Sequence, residues 1–215
     1  MNSGLRAILE KPEVYNFFQT IILANSARIK FYSRFIKGKN LNILDIGCGT
    51  GTLAKHLLSS NQDVNYYGFD LQKEYIDFCN KQYSSDNFYF FCEKIGDNLE
   101  ADWKNKFDIV LAHGILHHLT DTESNLLLHA AENYLKKDGY LLTHDSLFYP
   151  GQSIIRKYFV SKDRGQNIRT PDDYLKLTRA YFNTVDHYIL ENEILLPYSS
   201  FVMKSSQPKV SSLMV

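Results

Sequence analysis

Three glycines at alternate positions mark the stretch of this sequence that is best suited to hold a ligand. Gly47, Gly49 and Gly51 follow a short apolar run in "LDIGCGTG", a pattern typical of a strand, a tight turn and the start of a helix. Thr52 stands where a dinucleotide-binding loop needs its third glycine, and the Gly-Lys-Ser/Thr of a phosphate loop is absent. Asp45, just before the turn, would repel a pyrophosphate but suits an ammonium and a sulfonium. The turn is therefore predicted to bind a ligand that is cationic at this end.

Asp70 offers a second polar contact for the same ligand. It closes the run "YYGFD", 19 positions after Gly51. A carboxylate at the end of a second strand accepts hydrogen bonds from both hydroxyls of a ribose. Since no phosphate-binding element accompanies it, the predicted ligand carries an adenosine-like ribose without phosphates.

Histidines supply the candidate groups for proton transfer. His113 ends a predicted strand in "FDIVLAHGILHHLTD", and His117 and His118 follow it. The position of His113 is the carboxyl end of a strand, where such sheets bind ligands. His144 and Asp145 lie on the next predicted strand, 140–148. We expect His113, His117 or His144 to act as general base if the acceptor must lose a proton, while packing at a helix start is the alternative for His117 and His118. No metal site is predicted, because His113 and His117 share no helical face if His113 lies on a strand.

A basic segment, "RKYFVSKDRGQNIR", follows these strands. It carries five Lys and Arg residues and a single acid, Asp163, over residues 156–169. Connections at this point of such a fold pass over the carboxyl edge of the sheet. Arg164 and Arg169 are therefore predicted to bind a carboxylate or phosphate of the substrate, with a solvated loop and helix face as the alternative.

Strands and helices alternate around these residues. Helices are predicted at 52–59, 73–83 and 122–137, and strands at 42–46, 65–70, 87–92, 107–113 and 140–148. Thr120 and Glu123 predict a capping box for the third helix, which Lys136, Lys137 and Gly139 are predicted to end. This alternation predicts an α/β fold, a parallel sheet with helices on both faces.

The flanking segments predict further elements. Apolar residues at helical spacing indicate one long helix or two short ones between Pro12 and Ile36. Thr170 and Pro171 predict the start of a later helix. Two strand candidates, 184–190 and 198–204, are predicted to pair as an antiparallel hairpin at the edge of the sheet.

Composition restricts the class of protein. The chain has 215 residues, which suits one domain. Its 24 basic and 24 acidic residues cancel, so no chain-wide attraction to nucleic acid is expected. Three cysteines without metal-ligand spacing, an N-terminus unlike a signal sequence and no apolar run of roughly 18 residues predict a cytoplasmic protein without a membrane span.

The motifs "LDIGCGTG", "YYGFD" and "FDIVLAHGILHHLTD" together resemble those of class I S-adenosylmethionine-dependent methyltransferases over about residues 41–148. "VYNFFQ" and "KDRGQNIRTPDDY" look like a subset of bacterial small-molecule methyltransferases whose acceptors are mostly unassigned. The resemblance implies a Rossmann-like, seven-stranded, mostly parallel sheet with an antiparallel C-terminal strand. We accordingly predict an N-terminal helical cap over 1–40, a cofactor-binding methyltransferase domain over 41–205 and a flexible tail over 206–215.

The resemblance also implies which residues line S-adenosylmethionine: the turn against the methionine part, Asp70 at the ribose and Leu71 at the adenine. The third strand departs from the family pattern in "FCEKIGD", so several residues, Asp97 among them, stay candidates for the adenine amino group. Tyr15 and Phe18 are predicted either to fold over the cofactor as a lid or to pack on the sheet edge. The full predicted cofactor set is Asp45, Gly47, Cys48, Gly49, Gly51, Asp70, Leu71, Glu93, Lys94, Ile95, Ala112, His113 and Tyr15.

The expected function is methyl transfer to a small, polar or anionic acceptor, with S-adenosylhomocysteine as product. A regulator that binds S-adenosylmethionine without catalysis is a second reading. A short-chain NAD(P) dehydrogenase is a third, because Tyr158 and Lys162 are spaced as in those enzymes and Ser146 lies upstream. The missing third glycine opposes the dehydrogenase reading. The sequence does not predict an oligomeric state.

Overall fold

The computed structural model describes residues 25–95, 103–191 and 197–209. Strand and helix alternate along them as predicted. The strands are β1 (Leu41–Ile46), β2 (Val64–Phe69), β3 (Phe88–Phe91), β4 (Phe107–His113), β5 (Leu135–Ser146), β6 (Phe182–Glu191) and β7 (Ser199–Pro208). The helices are α1 (Asn25–Phe35), α2 (Thr52–Ser59), α3 (Lys73–Tyr83), α4 (Asp121–Tyr134), α5 (Ile154–Ser161) and α6 (Pro171–Arg179), with a 3-10 turn at Leu116–His118.

The seven strands form one sheet in the order β3-β2-β1-β4-β5-β7-β6. Strands β1 to β5 pair in parallel. Strand β7 lies between β5 and β6 and runs antiparallel to both. The prediction of a mostly parallel, Rossmann-like sheet with an antiparallel C-terminal strand is confirmed. The carboxyl ends of β1, β2, β4 and β5 therefore meet at one edge, which we call the carboxyl edge.

The core has two layers, one on each face of the sheet. One layer packs α4 and α6 against the sheet through residues such as Leu127 and Tyr174. The other packs α1, α2 and α3 through residues such as Phe31, Leu53 and Ile76. Side chains of a strand alternate between the two layers, as the pleat requires, and helices on both faces cover a sheet that is buried on both sides.

Capping boxes begin two of the helices. Thr120 and Glu123 form one at α4, and Thr170 and Asp173 form another at α6, so both predicted helix starts are confirmed. The predicted end of α4 is wrong: the helix stops at Tyr134 and β5 begins at Leu135. Gly139 does not terminate the helix; it lies in β5, where an added Cβ would come within 3.0 Å of the carbonyl oxygens of Phe107 and Asp108.

Strand β7 runs further than the predicted boundary at residue 205. Ser206 pairs with Tyr140 and Pro208 with Phe182, so residues 206–208 belong to the sheet and not to a tail. The predicted antiparallel pair is confirmed, with β6 at the edge and β7 inside. Of the predicted N-terminal helical segment, residues 12–24 lie outside the described residues. No described helix is long and apolar enough to cross a membrane.

Candidate functional site

The glycine turn has a backbone conformation that favours glycine at each of its three glycine positions. Gly47, Gly49 and Gly51 have φ angles of +74°, +57° and +72°, which are left-handed and costly for residues with a Cβ. Space is also lacking: a Cβ on Gly47 would lie 2.1 Å from Ile115, and one on Gly51 would lie 2.8 Å from Tyr83. The contact with Ile115 also shows that the turns after β1 and β4 touch at the carboxyl edge.

Hydrogen bonds tie the glycine turn to the end of β2. The amides of Gly47 and Cys48 donate to the carbonyl of Phe69 at 2.7 and 2.9 Å. Asp70 accepts from the amide of Gly49 through one carboxylate oxygen and from Gln72 through the other, both at 2.9 Å. Burial raises the pKa of Asp70, and these backbone hydrogen bonds oppose that shift. Asp70 thus stands beside the turn, where the sequence predicts a ribose.

Asp45 lies beneath the turn rather than at the surface. Its carboxylate is buried and accepts a hydrogen bond from the Tyr66 hydroxyl at 2.5 Å. Burial, together with the charge of Asp45, raises the pKa of Tyr66 well above its ordinary value. The negative charge next to the turn is therefore held in the interior, close to the predicted position of the cationic group.

The remaining predicted cofactor residues fall into two groups. Leu71 is exposed beside Asp70, and Glu93 and Lys94 are exposed after β3, with the Lys94 ammonium 3.8 Å from Glu123. Ile95 packs against the core and Ala112 is fully buried. Tyr15, Phe18 and Asp97 lie outside the described residues.

A buried ionic cluster occupies the other side of the carboxyl edge. His117, in the turn after β4, places Nδ1 2.9 Å from Oδ1 of Asp145 and Nε2 3.3 Å from Oδ1 of Asp163. Burial alone would lower the pKa of His117, but the hydrogen bonds to the two carboxylates outweigh it and raise the pKa to about 9. The imidazole is therefore protonated at neutral pH and bridges β5 to the loop after α5.

Asp163 makes the most contacts that we describe in this cluster, through both of its carboxylate oxygens. Its second oxygen accepts hydrogen bonds from the hydroxyls of Tyr198 and Ser146, and its first accepts from the amide of Gly165 at 2.7 Å. Burial opposes the shift, yet the His117 hydrogen bond and charge lower the pKa of Asp163 far below its usual value. Sequence reasoning assigned no role to Asp163 or Tyr198.

His113 and His144 form a second, aromatic cluster at the same edge. Their ring centroids lie 4.4 Å apart, edge to face. Tyr32 of α1 places its hydroxyl 3.3 Å from Nδ1 of His113, and Nε2 of His144 lies 2.6 Å from the Ser200 hydroxyl. Phe31 packs on both rings. The described part of the predicted cap thus covers the two histidines.

The two arginines of the basic segment have different environments. Arg164 is exposed. Arg169 is buried, and all three guanidinium nitrogens donate to the protein: to Asp121, to Ser124 and to the carbonyls of Leu116, Leu119 and Asn167. The arrangement assigns Arg169 to holding the loops together, because its donors are already engaged. Its predicted contact with a substrate gains no support from this placement.

One set of donor atoms has the composition of a metal site. Ring nitrogens of His117 and His118 and a carboxylate oxygen of Asp163 lie within 4.8 Å of one another. Two histidines and a carboxylate suit several divalent metals. Here both ring nitrogens of His117 already face carboxylates, those of Asp145 and Asp163.

The three side chains of the dehydrogenase reading do not form one hydrogen-bonded site, because Ser146 bonds elsewhere. Tyr158 is exposed on α5, with the Lys162 ammonium 5.3 Å from its ring centroid. Ser146 is buried and bonds to Asp163 and Tyr198 instead. The fold and the glycine turn together define a class I S-adenosylmethionine-dependent methyltransferase domain, not a dehydrogenase.

Comparison with known proteins gives the same assignment. The family model for a methyltransferase domain matches residues 37–194. An uncharacterized methyltransferase of Bacillus cereus is 27% identical over 124 residues, which are 58% of this chain and 56% of that protein. A malonyl-(acyl-carrier protein) O-methyltransferase of Acetivibrio thermocellus is 26% identical over 157 residues, 69% of this chain and 54% of that protein. The chain thus spans just over half the length of the curated relatives it matches.

A solved structure shows the same fold. The S-adenosylmethionine-dependent methyltransferase of Archaeoglobus fulgidus superposes with a TM-score of 0.69 at 15% identity, over 89% of this chain and 99% of that one. Because the family model spans most of the sequence, the chain belongs to the methyltransferase-domain family. S-adenosylmethionine is the methyl donor of this family.

Proposed function

We propose that the protein transfers the methyl group of S-adenosylmethionine to a small acceptor that carries a polar, proton-bearing group. The observation that carries this proposal is that two different groups of residues lie at the same carboxyl edge: the glycine turn with Asp70, and the histidine clusters. The glycine turn with Asp70 suits the donor, since its three glycines have left-handed φ angles, two of them leave no room for a Cβ, and a carboxylate stands at the predicted ribose position. The histidine clusters on β4 and β5 suit an acceptor.

S-adenosylmethionine supplies a methyl carbon already activated by its sulfonium, so the protein has only to position the acceptor and remove a proton. A lone pair of the acceptor forms the bond to that carbon, and the electrons of the broken carbon–sulfur bond stay on sulfur. The acceptor's proton then needs a base.

His113 is the base that we propose. It ends β4 and is half-buried beside the turn that follows β1. Its Nδ1 is held by Tyr32 and its ring by His144, which fixes its orientation. His117 is a poorer base, because it is already protonated between Asp145 and Asp163.

The proposed acceptor is polar or anionic. Arg164 is exposed next to Asp163, on the loop that the His117 cluster fixes at this edge. A guanidinium there can hold a carboxylate or phosphate in two parallel hydrogen bonds. The Acetivibrio thermocellus relative acts, by its name, on a malonyl group attached to an acyl-carrier protein; the carboxylate of that group agrees with an anionic acceptor, although it is carried by a protein.

The test is a turnover assay that detects S-adenosylhomocysteine against a panel of small hydroxy acids, phosphates and neutral alcohols. We expect His113→Asn to lower kcat by roughly 100-fold while donor affinity, measured by calorimetry, stays near wild type. His117→Asn should instead lower stability. Donor binding without turnover on any acceptor class would favour the regulator reading. Unchanged kcat in His113→Asn would refute the proposed base.

A further inference from the structure

Helix α5 displays large apolar side chains to solvent. Ile154, Ile155 and Tyr158 are 87%, 62% and 58% exposed. They are three of the four most exposed large hydrophobic residues in the described part of the chain. Tyr158 is four residues from Ile154 and three from Ile155, spacings that make neighbours on a helix surface, so the three side chains form a single surface, which we call the α5 patch. Single exposed apolar residues need no explanation, but grouped ones mark an interaction site.

The opposite side of α5 is fixed on the domain. Val160 is fully buried, and the Arg156 guanidinium donates to the carbonyl of Tyr198 at 2.9 Å and lies 3.3 Å from Glu191. Ser153 caps the helix through the amide of Arg156. The patch therefore cannot turn inward without breaking these bonds.

Cations surround the α5 patch. Lys157 and Lys162 are exposed, and the Lys162 ammonium lies 5.3 Å from the ring centroid of Tyr158. Arg164 is exposed just beyond the helix. Two acids lie nearby: Asp163 is engaged by His117 and Tyr198, and Glu191 is paired with Arg156. The local surface is thus positive, in a chain whose formal net charge is zero.

We propose that the α5 patch docks on an anionic lipid surface. An apolar ridge flanked by lysines and arginines is the arrangement of helices that lie in the membrane interface: the apolar side chains enter the headgroup boundary and the cations meet anionic lipids. Long cationic side chains reach the headgroups while their stems stay on apolar surface. An isoleucine that is 87% exposed projects from the surface, and a projection fits a deformable bilayer better than a rigid protein face.

Docking through α5 would bring the carboxyl edge to the membrane. The helix begins eight residues after the end of β5 (Ile154 after Ser146), and Arg156 and Asp163 both contact Tyr198 of the acceptor side. Resting on the proposed function, this placement identifies the acceptor as an amphiphile whose polar or anionic headgroup is presented at the membrane surface.

The experiment is vesicle flotation with the full chain, without donor or acceptor. Vesicles of phosphatidylcholine alone are compared with vesicles that contain one third phosphatidylglycerol, at low and high salt. We expect binding to the anionic vesicles only, weakened by salt. The variant I154S/I155S should lower the bound fraction at least about tenfold, and K157Q/K162Q should remove the preference for anionic vesicles.

Leu126→Ser is the matched control, since Leu126 is an exposed apolar residue on α4. It should leave vesicle binding unchanged, and calorimetry with S-adenosylmethionine verifies that each variant is folded. The proposal is overturned by wild-type protein that stays free of anionic vesicles, by equal binding of I154S/I155S, or by a patch that mediates self-association or capture of an acidic protein instead. Because flotation needs no turnover, its failure leaves the proposed methyl transfer untouched.

Discussion

His117 holds a positive charge inside the protein because two carboxylates face its ring. Burial disfavours an imidazolium, yet Asp145 and Asp163 together raise the pKa of His117 to about 9. The folded protein therefore binds this proton more tightly than the unfolded chain, in which the pKa of histidine is about 6.5. Proton binding at His117 is thereby linked to stability.

The linkage predicts how stability depends on pH. The stabilisation from His117 is fully present below pH about 6.5 and is lost as pH rises to about 9, a total of at most about 3 kcal/mol. Denaturant unfolding between pH 6 and 10 measures it. His117→Asn should remove this dependence, whereas the surface variant His187→Gln should keep it. A wild-type free energy of unfolding that stays flat across this range contradicts the imidazolium assignment.

Asp70 is a second single residue whose replacement gives a prediction, here for the affinity of the methyl donor. Asp70→Ala removes a carboxylate that holds the amide of Gly49 and stands at the ribose position, so S-adenosylmethionine should bind more weakly by roughly 1.5–3 kcal/mol. Asp77→Ala, on the exposed side of α3, is the control and should bind normally. Calorimetry measures both variants, and NAD should not bind the wild type. NAD binding without S-adenosylmethionine binding contradicts the predicted donor.

Arg169 joins several elements through one side chain. It reaches the 3-10 turn at the carbonyl of Leu116 and the start of α4 at Asp121 and Ser124. The turn that it holds carries His117. The loop before α6 is thus fastened to the turn after β4 by a buried guanidinium.

Replacing Arg169 should therefore destabilise the fold. Arg169→Met leaves the carbonyls of Leu116 and Leu119 without this donor, while the exposed Asp121 carboxylate can be hydrated, and we expect the free energy of unfolding to fall by about 1–3 kcal/mol. Arg164→Ala is the paired variant. It should unfold like the wild type and raise the KM of an anionic acceptor. The roles would be reversed if Arg169→Met kept its Tm while only its KM rose.

Local patterns explain which elements could be predicted. The glycine turn, the two capping boxes and the alternation of strands and helices each depend on residues close together in sequence. The end of α4 was misplaced because Lys136 and Lys137 read as a helix terminus, whereas Leu135 already pairs with Phe107 in the sheet. Strand pairing overrode the local signal.

The histidines at the carboxyl edge were predicted as candidate bases, but the contacts of His117 with Asp163 and of Asp163 with Tyr198 were not, because these residues are distant in sequence. Asp145 lies 28 residues from His117, and Tyr198 lies 35 residues from Asp163. Asp163 also stood in a run of basic residues, where a lone acid reads as a solvated charge. Only the crossing of β7 beside β5 brings Tyr198 to this cluster, and a single sequence does not show that pairing.

At the scale of the whole molecule, the order of the strands brings the glycine turn, Asp70 and the histidine clusters to one edge of the sheet. Strands β1 and β4 are neighbours although they are distant in sequence, and ligands bind at such a reversal of strand order. The clusters of His117 and His144 lie on the β5 and β7 side of that point. In the proposed function, this division separates donor binding from acceptor binding.

Exhaustive chelation should leave the whole protein unaffected. In the cluster of His117, His118 and Asp163 a proton on His117 competes with any metal. We therefore expect donor affinity and methyl transfer to be the same before and after treatment with a chelator, with metal content followed by mass spectrometry. Activity that is lost on chelation and restored by zinc or magnesium would contradict this.

The interior position of β7 has a consequence for biosynthesis. A chain emerges from the ribosome with its N-terminal part first, so β1 to β4, the glycine turn and Asp70 are available before β7 is made. Until Ser199–Pro208 arrives, β5 is an open edge and β6 has no partner in the sheet. Tyr198 and Ser200 arrive together with that strand. Under the proposed function, a nascent chain therefore acquires the residues that would hold the methyl donor before the surface that would receive an acceptor is complete.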